Sequence, residues 1–268
     1  MSPHHHEHEP YVEDYFLART EKVIQLTPSM TRVVLTVQDG ERLVATDHPD
    51  EWVRLALRPN PETPVTLPVL MENGRWGRPD GSLACPNRPY TVRAWNPATC
   101  EMVIDLVGHE GGVAAGWAMA ARVGDVVGIC NPEGRFEPPP GAKWMLLLVD
   151  ITGLPAVGRI LEELPAEMHA IVHVEIPSAA DRQRLDSRAD VELVWHEMHG
   201  RRDGSEAPTR LPEIAARFTT LPDGPGYIYI AGEARAASAC RKHFRGRLGF
   251  DKHAIDAIGY WIEGQARV

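Results

Sequence analysis

The stretch Arg88-Pro89-Tyr90-Thr91-Val92-Arg93-Ala94-Trp95 decides how this chain is read. Alternation places Tyr90, Val92 and Ala94 on one face and Thr91, Arg93 and Trp95 on the other. That is strand periodicity, enriched in β-branched and aromatic residues. Four of its residues offer a cation for a phosphate, a flat apolar wall and a short hydroxyl donor. A flavin nucleotide needs those three things from a protein. Taken alone, the stretch is also compatible with an ordinary barrel strand carrying a surface arginine.

Working upstream, Thr31–Val37 and Trp52–Arg58 alternate in the same way, and the β pattern begins at Val23. Pro, Gly, Asn and Asp crowd the segment from Pro59 to Pro89, which reads as a long turn-rich excursion. Downstream, Glu101–Val107 alternates again, with Asp105 as the odd acid in an apolar strand. Gly108-His109-Glu110-Gly111-Gly112 then opens into an Ala-rich helix from Val113 past Trp117. A helix start carries unpaired N–H groups that attract phosphate, although a glycine turn before a buried helix gives the same pattern. Val126–Cys130 reads as the closing strand of an antiparallel barrel.

Pro138-Pro139-Pro140-Gly141 marks a boundary, because prolines stiffen a linker and cannot continue a ladder. The expected division is a barrel over residues 15–141 and an α/β unit over 142–268. In the second unit, Trp144–Val149 is a continuous apolar run, as a strand buried on both faces requires. A helix from about Pro155 follows, then strands His169–Ile176 and Val191–Trp195, and a helix Leu211–Leu221. Strand Tyr227–Ala231, helix Arg235–Leu248 and strand Ile255–Trp261 complete the chain. Alternating strand and helix implies a doubly wound parallel sheet, with ligands at the carboxyl ends of its strands. Those ends are Asp150-Ile151-Thr152-Gly153 and Gly232-Glu233-Ala234. Neither a G-x-G-x-x-G nor a P-loop motif is present, which disfavours a classical dinucleotide dehydrogenase and a P-loop NTPase.

Composition narrows the function further. The 268 residues carry a formal net charge of -9, which argues against a general nucleic-acid binder. Four cysteines, Cys85, Cys100, Cys130 and Cys240, are irregularly spaced, as reduced thiols in a cytoplasm would be. No apolar run approaches a membrane span, and no signal-peptide pattern is present. The His-rich start, His4 to His8, reads as a polar terminus outside the fold. A cytoplasmic monomer without membrane insertion, nucleic acid or structural metal is expected.

These segments together resemble the siderophore-interacting proteins, the FAD-dependent ferric-siderophore reductases of the ferredoxin-reductase-like superfamily. The resemblance rests on Arg88–Arg93, Asp105 with His109, Gly112–Trp117, Leu147–Ala156, Ala231–Ala234 and Gly259-Tyr260-Trp261. It implies an antiparallel FAD-binding β-barrel followed by an NAD(P)-binding sheet, with FAD and NADPH or NADH as cofactors. Arg88, Pro89, Tyr90 and Thr91 would then hold the flavin, with Tyr90 stacked on the ring. Asp105 and His109 would hold the ring and ribityl region; Gly112, Val113, Ala114, Ala115 and Trp117 form the matching phosphate segment. Asp150, Thr152, Gly153, Glu233 and Ala234 would line the nicotinamide cleft. The chain departs from the family at Gly112-Val113-Ala114-Ala115, where Gly-Pro-Ala-Ser is usual, and at Ile262-Glu263, where basic residues are usual.

The implied activity is reduction of ferric siderophores to release Fe(II). A nicotinamide gives two electrons at once and ferric iron takes one, so a flavin mediates and no acid–base residue is required. Ferric siderophores are often anionic. Arg135 and the helix cations Arg241 and Lys242 are therefore candidates for substrate capture, although the helix charges also fit a solvated face. A 2′-phosphate site could draw on Arg182 or Arg184. Trp261 is expected to fill the core of the terminal strand. Two other readings stay open here: a flavin reductase serving a carrier protein or other small acceptor, and a flavin-free siderophore-binding module.

Overall fold

A computed structural model describes residues 15–60, 62–72, 76–78, 82–108, 113–198 and 208–265. Six strands close the barrel: β1 (Tyr15–Thr27), β2 (Met30–Val37), β3 (Trp52–Ala56), β6 (Asn87–Asn96), β7 (Glu101–Val107) and β8 (Val126–Cys130). Their order around the barrel is β1-β2-β7-β6-β3-β8, and every pairing is antiparallel. Among the described residues, the excursion between β3 and β6 carries only a small hairpin, β4 (Val69–Leu70) with β5 (Trp76–Gly77). Inward residues of alternating strands fill the interior: Val33, Leu35, Val53, Leu55, Val92, Met102, Ile104 and Leu106 are all fully buried.

Strand β1 starts eight residues before the expected Val23, because a bulge between Thr20 and Lys22 turns both Glu21 and Lys22 outward and breaks the alternation. The alternation read for β6 also needs correction. A bulge between Val92 and Ala94 inserts Arg93 as an extra residue, so Trp95 pairs with the core residue Met102 and Ala94 turns outward. Tyr90, Val92 and Trp95 therefore share the core-facing side.

The second layer system is a five-stranded parallel sheet in the order β11-β10-β9-β12-β13. Its strands are β9 (Trp144–Val149), β10 (His169–Ile176), β11 (Asp190–Glu197), β12 (Gly226–Glu233) and β13 (Ile255–Trp261). Helix α1 (Val113–Ala120) precedes β8, while α2 (Leu154–Glu163), α3 (Leu211–Ala216) and α4 (Ala234–Gly246) cover the sheet. One face packs on α2 through Leu147, Val149, Val157, Ile160 and Leu161. The opposite face packs on α3 and α4 through Leu146, Leu148, Ile214, Cys240 and Phe244. The expected architecture, an antiparallel barrel followed by a doubly wound parallel sheet, is the one observed.

Helix α3 ends at Ala216, short of the expected Leu221. Two β-branched residues, Thr219 and Thr220, and then Pro222 oppose helix, while Phe218 and Leu221 still pack on the core from coil. Between β10 and β11 the crossover has no α-helix. It makes one short 3-10 turn at Ala179–Asp181 and runs back to the barrel, where Asp181 accepts from Thr27 Oγ1 and Ser29 N, both at 2.9 Å.

Candidate functional site

Strand β6 brings its first residues to the carboxyl end of the sheet. Thr91 is buried, and its hydroxyl is hydrogen-bonded to Tyr260 on β13, which in turn meets the Tyr229 hydroxyl at 2.9 Å. Beside it, Tyr90 is half-buried, and burial pushes its phenol up to about 12 while the Arg88 cation pulls it down. The ring therefore stays neutral and presents an apolar wall, as stacking against a flat heterocycle requires. Arg88 is half-exposed and donates to the Asn87 carbonyl at 2.7 Å, with further N–H groups on the same guanidinium. Pro89 lies between them in register with Arg54 of β3.

Asp105 is not an isolated acid. It stands opposite Arg32 in the β2–β7 ladder, and the guanidinium forks onto both its oxygens at 2.7 and 2.8 Å. Any hold on a ligand from this position is exerted jointly with Arg32, a residue the sequence reading missed. The alternation of β2 did place Arg32 on the outward face, but its partner lies 73 residues away. His109 and Gly112 lie outside the described residues. Val113, Ala114 and Ala115 form the first turn of α1, and Trp117 packs against the barrel core.

On the sheet side, Asp150 ties three strand ends together. Its Oδ1 accepts from Thr152 N at 2.8 Å and Thr152 Oγ1 at 2.5 Å. Oδ2 accepts from Glu233 N at 3.1 Å and Trp261 Nε1 at 2.7 Å. Burial pushes this carboxyl above its ordinary range, against the opposing pull of those four donors. Gly232 faces the same carboxylate at φ +154, and a Cβ there would stand 2.4 Å from Oδ2, so only glycine fits. Gly153 is equally tight, with a Cβ falling 2.8 Å from that of Val149. Trp261 is thus no core filler: it is partly exposed and its indole N–H closes the Asp150 cluster.

Glu233 ends β12 and caps α4, with Oε2 accepting from Ala236 N at 2.8 Å. Its other oxygen, Oε1, is buried with no hydrogen-bond partner, in a residue only 2% exposed. A buried carboxylate oxygen without a donor is costly. Ala234 opens α4 immediately beside it.

Arg135 reaches the same seam from the loop after β8. Its guanidinium lies 5.0 Å from the Trp52 ring centroid, and Trp52 is the ladder partner of Thr91. Arg241 and Lys242 are not brought there. They are exposed on α4, and seven residues beyond Ala234 amounts to about 11 Å along the helix axis. A cavity of 460 Å³ opens between the barrel and α2, lined among others by Arg32, Arg93, Asp105, Pro155 and Gly158. Arg182 and Arg184 line it as well, each paired with a carboxylate at 2.7 Å, Glu197 and Asp186 respectively. Among the described residues no cluster of three or more His, Cys, Asp or Glu could hold a metal, and no helix is long and apolar enough to cross a membrane.

Comparison with known proteins matches both halves of this arrangement. The siderophore-interacting FAD-binding domain profile covers residues 19–136, and the siderophore-interacting protein profile covers residues 142–264. An uncharacterized protein of Mycobacterium tuberculosis is 32% identical over 254 residues, 90% of this chain and 87% of its own length. The NADPH-dependent ferric-chelate reductase of Escherichia coli is 28% identical over 209 residues, 76% of each chain. A siderophore utilization protein from T. fusca superposes with a TM-score of 0.83 at 29% identity, covering 97% of both chains.

Proposed function

The chain belongs to the siderophore-interacting protein family, and from that premise we propose that it is an FAD-containing, NAD(P)H-dependent reductase of ferric siderophores or related ferric chelates. The observation that carries this reading is the meeting of two half-sites. The Arg88–Thr91 end of β6 abuts β13 through the Thr91–Tyr260 contact, and Asp150, Trp261 and Glu233 gather at the neighbouring strand ends. A flavin fits the first half-site, where Tyr90 supplies a neutral flat wall and Arg88 a cation for phosphate. A nicotinamide is assigned to the second, at the carboxyl ends of the sheet strands, where the Glu233 carboxylate lies beside Ala234. That carboxylate also favours a nicotinamide ring that carries positive charge once oxidised.

When bound, the flavin would accept a pair of electrons from reduced nicotinamide and release them singly, as ferric iron demands. The chain's own part is placement. Tyr90 fixes the plane of the ring, Thr91 offers a short hydroxyl at its edge, and Glu233 orients the nicotinamide. Closely packed seam residues exclude water. Reduction of Fe(III) to Fe(II) weakens its bonds to hard oxygen ligands, and iron leaves the chelate. Arg135 supplies a fixed cation at the seam for an anionic chelate. Arg241 and Lys242 contribute through the longer-range field, and Arg182 and Arg184 offer a site for a nucleotide phosphate. In this reading the protein works as a cytoplasmic monomer.

The test is anaerobic. The purified protein should show flavin absorbance, be bleached by NADPH or NADH, and return to colour when a ferric chelate is added, with iron(II) captured by a ferrous-specific chelator. Absence of flavin even after FAD is supplied refutes the proposal. Reoxidation by ferric chelate no faster than that of free reduced flavin refutes the substrate.

A further inference from the structure

Arg159 sits in the middle of α2, and its guanidinium crosses to the barrel. Nη1 donates to Glu51 Oε2 at 2.8 Å and to the Val92 carbonyl at 3.2 Å, while Nε donates to Glu163 Oε1 at 2.9 Å. Glu51 is fully buried, and its other oxygen accepts from Thr46 N and from Thr46 Oγ1. Val92 N in turn donates to the Glu51 carbonyl at 2.8 Å. Antiparallel register would return a bond from Glu51 N to the Val92 carbonyl. Glu51 N points instead to the His48 carbonyl at 3.1 Å, and Arg159 donates in its place.

A second arginine ties the same two elements. Arg93, the extra residue of the β6 bulge, forks onto Glu162 of α2 at 2.5 and 2.9 Å. It lies across Gly158, where a Cβ would stand 3.1 Å from its Nε. Strand β6 carries Tyr90 and Thr91 just before these contacts, and α2 starts just after Asp150–Gly153. One largely buried ion pair, Arg159–Glu51, and one partly exposed pair, Arg93–Glu162, therefore set the spacing between the flavin strand and the nicotinamide-side helix.

We propose that Arg159 is a positioning residue for electron transfer, its bonds to Glu51 and to the Val92 carbonyl fixing β6 at one distance from the carboxyl ends of the sheet. The inference rests on the reading of these two elements as halves of one cofactor site. A guanidinium suits the task because its planar fork engages a carboxylate and a carbonyl together, whereas an ammonium is a point charge. Placement matters because an error of about 1 Å between reacting groups can cost on the order of a hundredfold in rate.

Two variants of the full-length protein test this: Arg159→Lys, which keeps a charge beside Glu51, and the pair Arg159→Met with Glu51→Gln, which leaves no buried charge behind. Hydrogen exchange across residues 88–96 is measured first, without nicotinamide, and then the limiting rate of flavin bleaching by NADPH and NADH. The expected result is at least tenfold faster exchange at Val92 and at least a tenfold lower limiting rate. KM for the nicotinamide should stay within twofold, and flavin content should be unchanged. A purely structural role would lower the melting temperature and leave the limiting rate within twofold, which overturns the proposal. So does failure of both variants to fold, or exchange at Val92 equal to wild type. If wild-type protein is not bleached by either nucleotide, the proposed function fails, and the exchange result still judges the clamp.

Discussion

Replacing Asp150 by Asn isolates what one buried carboxylate contributes to the cleft. In the native chain its two oxygens accept four hydrogen bonds, from Thr152 N, Thr152 Oγ1, Glu233 N and Trp261 Nε1. An amide keeps one acceptor oxygen. The favourable rotamer turns that oxygen to Glu233 and Trp261, whose N–H groups cannot reverse. The NH2 group then faces Thr152, whose hydroxyl can rotate to accept but whose backbone N–H loses its partner. Hydrogen bonds to a charged group contribute about 1.5–3 kcal/mol and neutral ones about 1 kcal/mol. One bond is lost and others are weakened. Relief of a buried charge, already disfavoured enough to push the carboxyl upward, offsets part of that loss. The net destabilisation should be about 2–4 kcal/mol. For a chain of this size each kcal/mol lowers Tm by about 2–4 °C, so calorimetry should show a fall of about 5–15 °C. Trp261→Phe removes only one donor and should cost less than half as much. An Asn variant melting within 2 °C of wild type, or a Trp261 variant costing as much as the Asn variant, would show that the four-donor cluster does not hold the strand ends together.

Arg88→Ala should remove a charge-assisted phosphate contact and weaken FAD binding ten- to a hundredfold, about 1.5–3 kcal/mol, measured by flavin fluorescence titration. His173 and His196 meet at 2.8 Å on neighbouring strands, and burial, then His196 and Arg217, lower the His173 imidazole to about 4. A depressed histidine withholds its proton in the fold while the unfolded chain takes one, so stability should fall as pH drops from about 6.5 toward 4. His173→Gln should flatten that part of a Tm-against-pH curve. Charge reversal at Arg241 and Lys242 should raise KM for an anionic ferric chelate at low salt. The effect should shrink severalfold at physiological ionic strength, where the Debye length is about 8 Å against the roughly 11 Å axial offset of these residues from Ala234. A salt-independent effect would place the chelate on α4 itself.

What the sequence revealed and what it concealed divide along the range of the interactions involved. Strands β2, β7 and β9 were legible because burial on one face or both writes itself directly into alternation or into an unbroken apolar run. Asp150 and Glu233 were legible as strand-end residues because strand ends followed by helices are local features. The bulge at Arg93 was not, since an inserted residue shows only against the partner strand, and counting along β6 assigned Trp95 to the wrong face. Asp105 was picked out as an odd acid, but Arg32, which occupies both its oxygens, lies 73 residues away, and no short-range pattern links the two. The Arg159–Glu51 contact spans 108 residues. Its logic depends on β3 starting one residue too late to complete the ladder with Val92. Unfinished backbone pairing of that kind is invisible in composition, yet it creates the vacancy that an arginine from the other half of the molecule fills. Residues at strand ends can therefore be read from local segments, whereas the residues that tie the barrel to the sheet emerge only once the two are in contact.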